Sequence, residues 1–284
     1  MKFFLSLLVV LLPFSLTSAH VEGGDCVIHD FKSDITLNKD SSVDITEDLL
    51  VDCGDLPGKH GIFRILPTKA PHPAGQYNRI PVTLLSITDF SGQPHQYETL
   101  RALDTVTWKI GDPDVTITGL NEYRIKYSVK NAVYEDAGKG VFYWNLNGNF
   151  WELETEKYEA TIHFPAGISE ETTNIQLFSG DLGSTANSFS SSEWVDDQTL
   201  KVVSTVSLSP RQGITLKASF PQGIVTPYQP NFFQLSGGYL WYLPLLVLLI
   251  AAYRLWSKYG RDPKLKAPEV VQYQPPQNLC PLEL

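Results

Sequence analysis

Outside two apolar runs near its ends, this chain shows no stretch of helical length with a 3.6-residue hydrophobic period. It is divided instead into short β-rich runs separated by turn residues, which confines the fold to an all-β design. The first two runs are the clearest. Phe31, Ser33, Ile35 and Leu37 alternate with polar residues, as do Val43, Ile45, Glu47, Leu49 and Val51, and Asn38-Lys39-Asp40-Ser41-Ser42 supplies the turn between them. This reads as a β-hairpin with Leu37 opposite Val43, Ile35 opposite Ile45 and Phe31 opposite Leu49. Further runs follow at 80–90, 95–103, 105–110, 115–118, 123–133, 142–146, 158–164, 175–178, 200–206 and 214–220. About a dozen short strands at this spacing predict a β-sandwich, extended or in two sub-parts. The Ser-rich stretch 180–192 reads as a loop, and 221–237, with Pro221, Pro227 and Pro230, as a juxtamembrane linker.

The two apolar runs set the compartment. Met1-Lys2, an apolar stretch from Phe3 to Leu16, and Thr17-Ser18-Ala19 have the layout of a secretory signal over residues 1–19, with His20 as the mature N-terminus. The second run, placed at 238–256, carries no charge from Tyr239 until Arg254 and covers about 27 Å as a helix, close to one hydrocarbon thickness. Tyr239, Trp241 and Tyr242 lie at one end and Tyr253, Trp256 and Tyr259 at the other, as in an aromatic belt. Arg254, Lys258, Arg261, Lys264 and Lys266 then place the tail, 257–284, in the cytoplasm by the positive-inside rule. The expected layout is a single-pass protein of the cytoplasmic membrane, with residues 20–220 outside and the C-terminus inside. The lipid bilayer is its first partner. With 22 basic residues against 31 acidic ones, nucleic acid is excluded as another. Cys26 and Cys53 fall outside the membrane, where a disulfide persists, and Cys280 inside. In the hairpin register just given, Cys26 and Cys53 miss each other by one residue, so a disulfide between them requires a β-bulge.

Four blocks resemble a known family in their order: Lys59-His60-Gly61-Ile62-Phe63-Arg64-Ile65-Leu66-Pro67-Thr68, Ile110-Gly111-Asp112-Pro113-Asp114, Tyr123-Arg124-Ile125-Lys126-Tyr127 and Tyr143-Trp144-Asn145-Leu146-Asn147-Gly148-Asn149-Phe150-Trp151. With Gly260-Arg261-Asp262-Pro263 and Tyr273-Gln274-Pro275-Pro276, they are similar to the bacterial predicted membrane proteins carrying domain of unknown function 2207. His60 stands where that family's first block has Arg. The resemblance implies a signal peptide, an extracytoplasmic β domain and a membrane anchor, with no established biochemistry. It also implies further membrane helices and a Gly/Ser-rich tail past Leu284, so the chain is expected to be a truncated member.

Candidate sites each carry two readings. The segment Tyr143 to Trp151 suits either a stacking face for a sugar or peptide, or a hairpin at Asn147-Gly148 whose alternate rings fill the core. The alternation of Phe142, Trp144 and Leu146 favours the core for Trp144, with Trp151 in the same cluster. Asp112 and Asp114 place two carboxylates in a tight turn, too few for a calcium site. Glu152, Glu154, Glu156 and Glu159 offer an acid/base pair to a hydrolase, or the wet face of an edge strand. Arg64 is either buried against an acid of the hairpin such as Glu47, or exposed to an anionic partner. The six histidines lack metal-ligand spacing, and no nucleophile elbow or phosphate loop occurs. No metal, cofactor or catalytic residue is expected. The reading is a non-enzymatic envelope protein that contacts another protein or an envelope polymer; the alternative is an envelope glycan or peptide hydrolase.

Overall fold

The computed structural model describes residues 26–55, 57–71, 77–228 and 242–261. The expected signal peptide, the second half of the linker and most of the tail, Cys280 included, lie outside these. The chain divides into two units, residues 1–228 and 229–284.

The first unit is built on strands. Its largest sheet holds seven: β1 (Val27–Leu37), β2 (Val43–Asp52), β6 (Val82–Thr88), β9 (Leu120–Val129), β12 (Tyr158–His163), β14 (Ser190–Asp196) and β15 (Thr199–Ser204), in the order β14-β15-β12-β1-β2-β9-β6. All neighbours are antiparallel except β1 and β12, which run parallel. A four-stranded sheet has the order β10 (Val133–Asp136), β11 (Lys139–Asn145), β16 (Gly213–Pro221), β13 (Asn174–Gly180). A three-stranded sheet pairs β8 (Thr105–Ile110) with β3 (Ile62–Pro67) and β7 (Tyr97–Arg101), and a small hairpin joins β4 (Lys69–Pro71) to β5 (Tyr77–Arg79). None of these sheets closes on itself.

Period-two burial explains why these residues make sheets. Ile35, Leu37, Val43, Ile45, Leu49, Val51, Ile125 and Val129 all turn to one face and are buried, while their neighbours along each strand are wetter. The inner faces of the other sheets, with Trp108, Phe142, Leu216 and Phe220, belong to the same apolar core. Trp108 of β8 meets Tyr127 of β9 at 5.4 Å between ring centres, and Phe31 of β1 takes Trp151 and Tyr158 edge-on at 5.7 and 5.1 Å. The β1–β2 register is the one the hairpin pattern predicts, with Phe31 opposite Leu49 and Leu37 opposite Val43. It shifts by one residue between Ile28 and Asp30, which leaves His29 as the bulge and brings Cys26 and Cys53 into a disulfide, Cα–Cα 4.0 Å.

Several expected elements differ. The Ser-rich stretch does not stay a loop to residue 192. Ser190–Asp196 forms edge strand β14, because Trp194 packs against Phe164 at 5.6 Å and holds the polar strand to the sheet. The run 115–118 is no strand and touches Lys59 through a single bridge at Ile117. The linker starts inside the fold: Val225 is buried and Thr226 donates its N–H to the Lys39 carbonyl at 2.7 Å.

The second unit contains α1, Tyr242–Tyr259, which ends later than the expected span of 238–256; residues 238–241 of that span lie outside the described residues. Its last turns take in Arg254 and Lys258, and none of its residues is buried. Among the described residues no helix is long and apolar enough to cross a membrane.

Candidate functional site

The aromatic block Tyr143–Trp151 leaves β11 and does not turn back as a hairpin. Asn145 ends the strand and Asn147 takes over the ladder with its side chain. Its Oδ1 accepts the Ile214 N–H at 2.8 Å and its Nδ2 donates to the Gln212 carbonyl at 3.1 Å. These bonds hold the chain against β16 and send it toward β12, so the expected Asn147-Gly148 hairpin gives way to a crossing between sheets. Gly148 has a φ of 87°, and a Cβ there would lie 2.7 Å from Arg64 Nη1, so only glycine fits.

That crossing roofs a buried ion pair. Arg64, 1% exposed, donates Nε to Glu47 Oε2 at 2.8 Å and Nη2 to Glu47 Oε1, and Glu47 is fully buried. Tyr127 Oη donates to the same Oε1 at 2.7 Å, while Arg64 Nη1 and Trp151 Nε1 both donate to the Asn147 carbonyl, at 3.1 and 2.9 Å. The guanidinium lies 5.2 Å from the Trp151 ring centre. Burial works against the Arg64 charge, but the Glu47 carboxylate more than offsets it, so its pKa lies above the ordinary arginine value. Burial first, and the nearby carboxylate second, raise the Tyr127 phenol well above 10. Of the two readings of Arg64, the buried pair with Glu47 holds; this guanidinium has no free fork to offer an anionic partner.

The segment contributes to the core and to a cleft. Trp144 and Trp151 are core residues, 8% and 3% exposed. Tyr143, Asn145, Asn149 and Phe150 line a cleft of about 640 Å³, bounded across from β11 by residues of β3 and the β4–β5 hairpin and at one end by the 180–185 loop. Tyr143 of β11, Lys217 of β16 and Gln176 of β13 form one cross-strand row, and Asn145, Thr215 and Phe178 form the next. Tyr143 and Phe178 approach diagonally to 6.4 Å between ring centres. Partial burial raises the Tyr143 phenol. Asn145 Oδ1 is committed to the Gly148 N–H and its Nδ2 to Asn149 Oδ1, so its side chain shapes the turn. Lys217, Phe178 and the 180–185 loop were beyond sequence reasoning, since they come from strands far along the chain. Only the outward phase of Lys217 in the β16 alternation hints at a role.

The remaining sites are structural in geometry. Asp112 Oδ1 accepts the Asp114 N–H at 2.9 Å, a local turn bond, and the described residues hold no cluster of three or more metal-ligating side chains. Glu152, Glu154 and Glu156 are exposed and precede β12 rather than lining an edge strand. Glu152 pairs with Arg211 at 2.8 Å, Glu156 with His29 at 2.8 Å and Glu159 with Lys201 at 3.1 Å; none of the four acids lines the cleft. The Glu156 hydrogen bond is the largest cause of a raised pKa at His29, which also meets Asp52 at 3.4 Å.

The described residues define an open β scaffold, followed along the chain by the helix α1. The N-terminal domain of the family described as predicted membrane protein (DUF2207) matches residues 27–220, and the chain belongs to that family. Uncharacterized protein YciQ of Escherichia coli (strain K12) is 27% identical over 156 residues, 55% of this chain and 25% of that protein, so the matched stretch is a quarter of its relative's length. Among solved structures, the M1 zinc metallopeptidase from Deinococcus radiodurans aligns over 67% of this chain and 42% of its own, at 10% identity and a TM-score of 0.37. Leukotriene A4 hydrolase from Saccharomyces cerevisiae aligns over 68% of this chain and 29% of its own, at 8% identity and a TM-score of 0.40. Likenesses this distant carry no argument about chemistry.

Proposed function

We propose that this chain is a membrane-anchored cell-envelope protein whose β-sandwich-like extracytoplasmic domain binds a protein or an envelope polymer and does no chemistry of its own. The cleft carries this reading. It is a concave site of about 640 Å³ on a fixed strand framework, lined by aromatic rings with amides and one lysine of β16 among them, the profile of a recognition site. A hydrolase of this sequence would draw on Glu152–Glu159, and those carboxylates lie elsewhere, Glu152 and Glu159 beside cations and Glu156 beside His29. The anchor is supported by the exposed apolar side chains of α1, Leu243 to Ile250, followed by Arg254, Lys258 and Arg261.

Two readouts on the full chain in a cell envelope test the proposal, with the outer membrane permeabilised where there is one. In a Cys280→Ser background, a membrane-impermeant thiol reagent should label Ser192→Cys and spare Lys266→Cys; the reverse would overturn the topology. A photoreactive group at Phe150 should cross-link an envelope component that the same group at Thr99, exposed on β7, does not. Identical products from both sites would overturn the binding role.

A further inference from the structure

The cleft contains an open strand edge, and its hydrogen-bonding groups specify the ligand more closely than its rings do. Leu146 donates its N–H to the Ile214 carbonyl at 2.8 Å, which fixes the phase of the β11–β16 ladder. In an antiparallel ladder, alternate residues bond to one neighbour and the others face away. Trp144 and Phe142 therefore bond to β16, while Tyr143 and Asn145 turn their backbone groups to the opposite edge. On that edge β10 covers only residues 139–142. Its chain turns off at Asn131, held at a φ of 62° with its Nδ2 on the Arg79 carbonyl, and the Ala132 N–H goes to Ser41. Among the described residues, the Tyr143 carbonyl and both backbone groups of Asn145 have no partner across this edge, and both residues line the cleft. Beneath the edge, Trp144, Ile80, Val82 and Val129 make one wall apolar.

We infer that the cleft receives an extended polypeptide segment, which adds a strand antiparallel to β11 in line with β10. The residue opposite Asn145 exchanges two main-chain hydrogen bonds with it, and the residue opposite Tyr143 donates its N–H to the Tyr143 carbonyl. Both point their side chains to the polar face that carries Tyr143 and Asn145, with Lys217 and Thr215 one strand further on. The residue between, opposite Trp144, points down to the apolar wall. The recognised pattern is one apolar side chain flanked by hydrophilic ones, a form of β-strand addition. This rests on the proposal that the cleft is a binding site, and names its ligand.

The test uses the full chain in detergent micelles and a display library of random seven-residue peptides. Selection should converge on a single apolar position with hydrophilic neighbours. For the strongest peptide, N-methylation of alternate backbone amides should weaken binding at least tenfold. Asn145→Pro, which removes an N–H the fold does not use, should weaken it at least tenfold relative to Asn145→Ala, which keeps the N–H. The methylated peptide tests the idea even if the proline variant fails to fold. Selection of no peptide, or equal binding of the methylated one, overturns the inference. An N-acetylglucosamine tetramer that binds wild type and not Tyr143→Ala, with no peptide selected, would replace it with a glycan and leave the cleft's binding role standing. Loss of cleft-dependent cross-linking from Phe150 would instead remove that role itself.

Discussion

Replacing Arg64 by Met while Glu47 stays in place should cost more than any other single polar change in the core. The wild-type guanidinium makes two bonds to Glu47, one to the Asn147 carbonyl and a stacked approach to Trp151. Without it, a fully buried carboxylate keeps, among the described residues, only the Tyr127 hydroxyl at 2.7 Å as a donor. Removing one partner of a buried pair typically costs about 3–5 kcal/mol, because the other charge is left uncompensated. At roughly 2–4 °C per kcal/mol for a unit of this size, the melting temperature should fall by about 6–20 °C. Adding Glu47→Leu removes the stranded charge but leaves the Tyr127 hydroxyl unpaired, a residual cost of about 1–3 kcal/mol. Adding Tyr127→Phe as well should bring stability to within about 1 kcal/mol of wild type. Chemical denaturation of the full chain in micelles, followed by tryptophan fluorescence, measures all three. The reasoning is wrong if Arg64→Met loses less than about 1 kcal/mol, or if the triple variant is no more stable than the single.

Trp144→Ala should cost about 3–5 kcal/mol, since the ring is core and stacks on Phe142 at 6.1 Å between ring centres; a melting temperature that moves by only a degree or two would put this ring on the wrong side of the sheet. Burial pushes the Tyr123 phenol up to about 12 and raises Tyr127 and Tyr158 well above the ordinary value, so these groups stay neutral in the fold while their unfolded counterparts ionise near 10. Their contribution is complete below about pH 10 and is lost above it, by up to about 1.4 kcal/mol per pH unit for each tyrosine. Urea midpoints followed upward from neutral pH should fall past that point, and less steeply in Tyr127→Phe; a flat profile would contradict the assignment.

Local pattern carried much of the framework. The β1–β2 register and the bulge at His29 follow from alternation and the one-residue offset of the cysteines. Glu47 was visible as an acid in an otherwise apolar strand face, but its partner Arg64 had to be found across a sheet, and one sequence offers no measure of that distance. The strand β14 escaped because serines supply no alternation; it is held by Trp194 against Phe164, a contact made only in the folded chain. Asn147-Gly148 misled for a related reason. As a dipeptide it favours a hairpin, and here the Asn side chain stands in for a ladder bond and the Gly clears Arg64. The cleft was the least legible part, because its walls come from strands separated by most of the domain.

The parallel pairing of β1 with β12 also sets an order of assembly. β1 can close its hairpin with β2 as soon as residue 52 is available, but its other edge waits for residues 158–163, more than a hundred positions later. Closing so long a loop is slow, and until it happens the innermost strand of the finished sheet is an exposed template for pairing with other chains. The hazard in this fold therefore belongs to the growing chain, and the strand most vulnerable to aggregation is the one that ends up deepest.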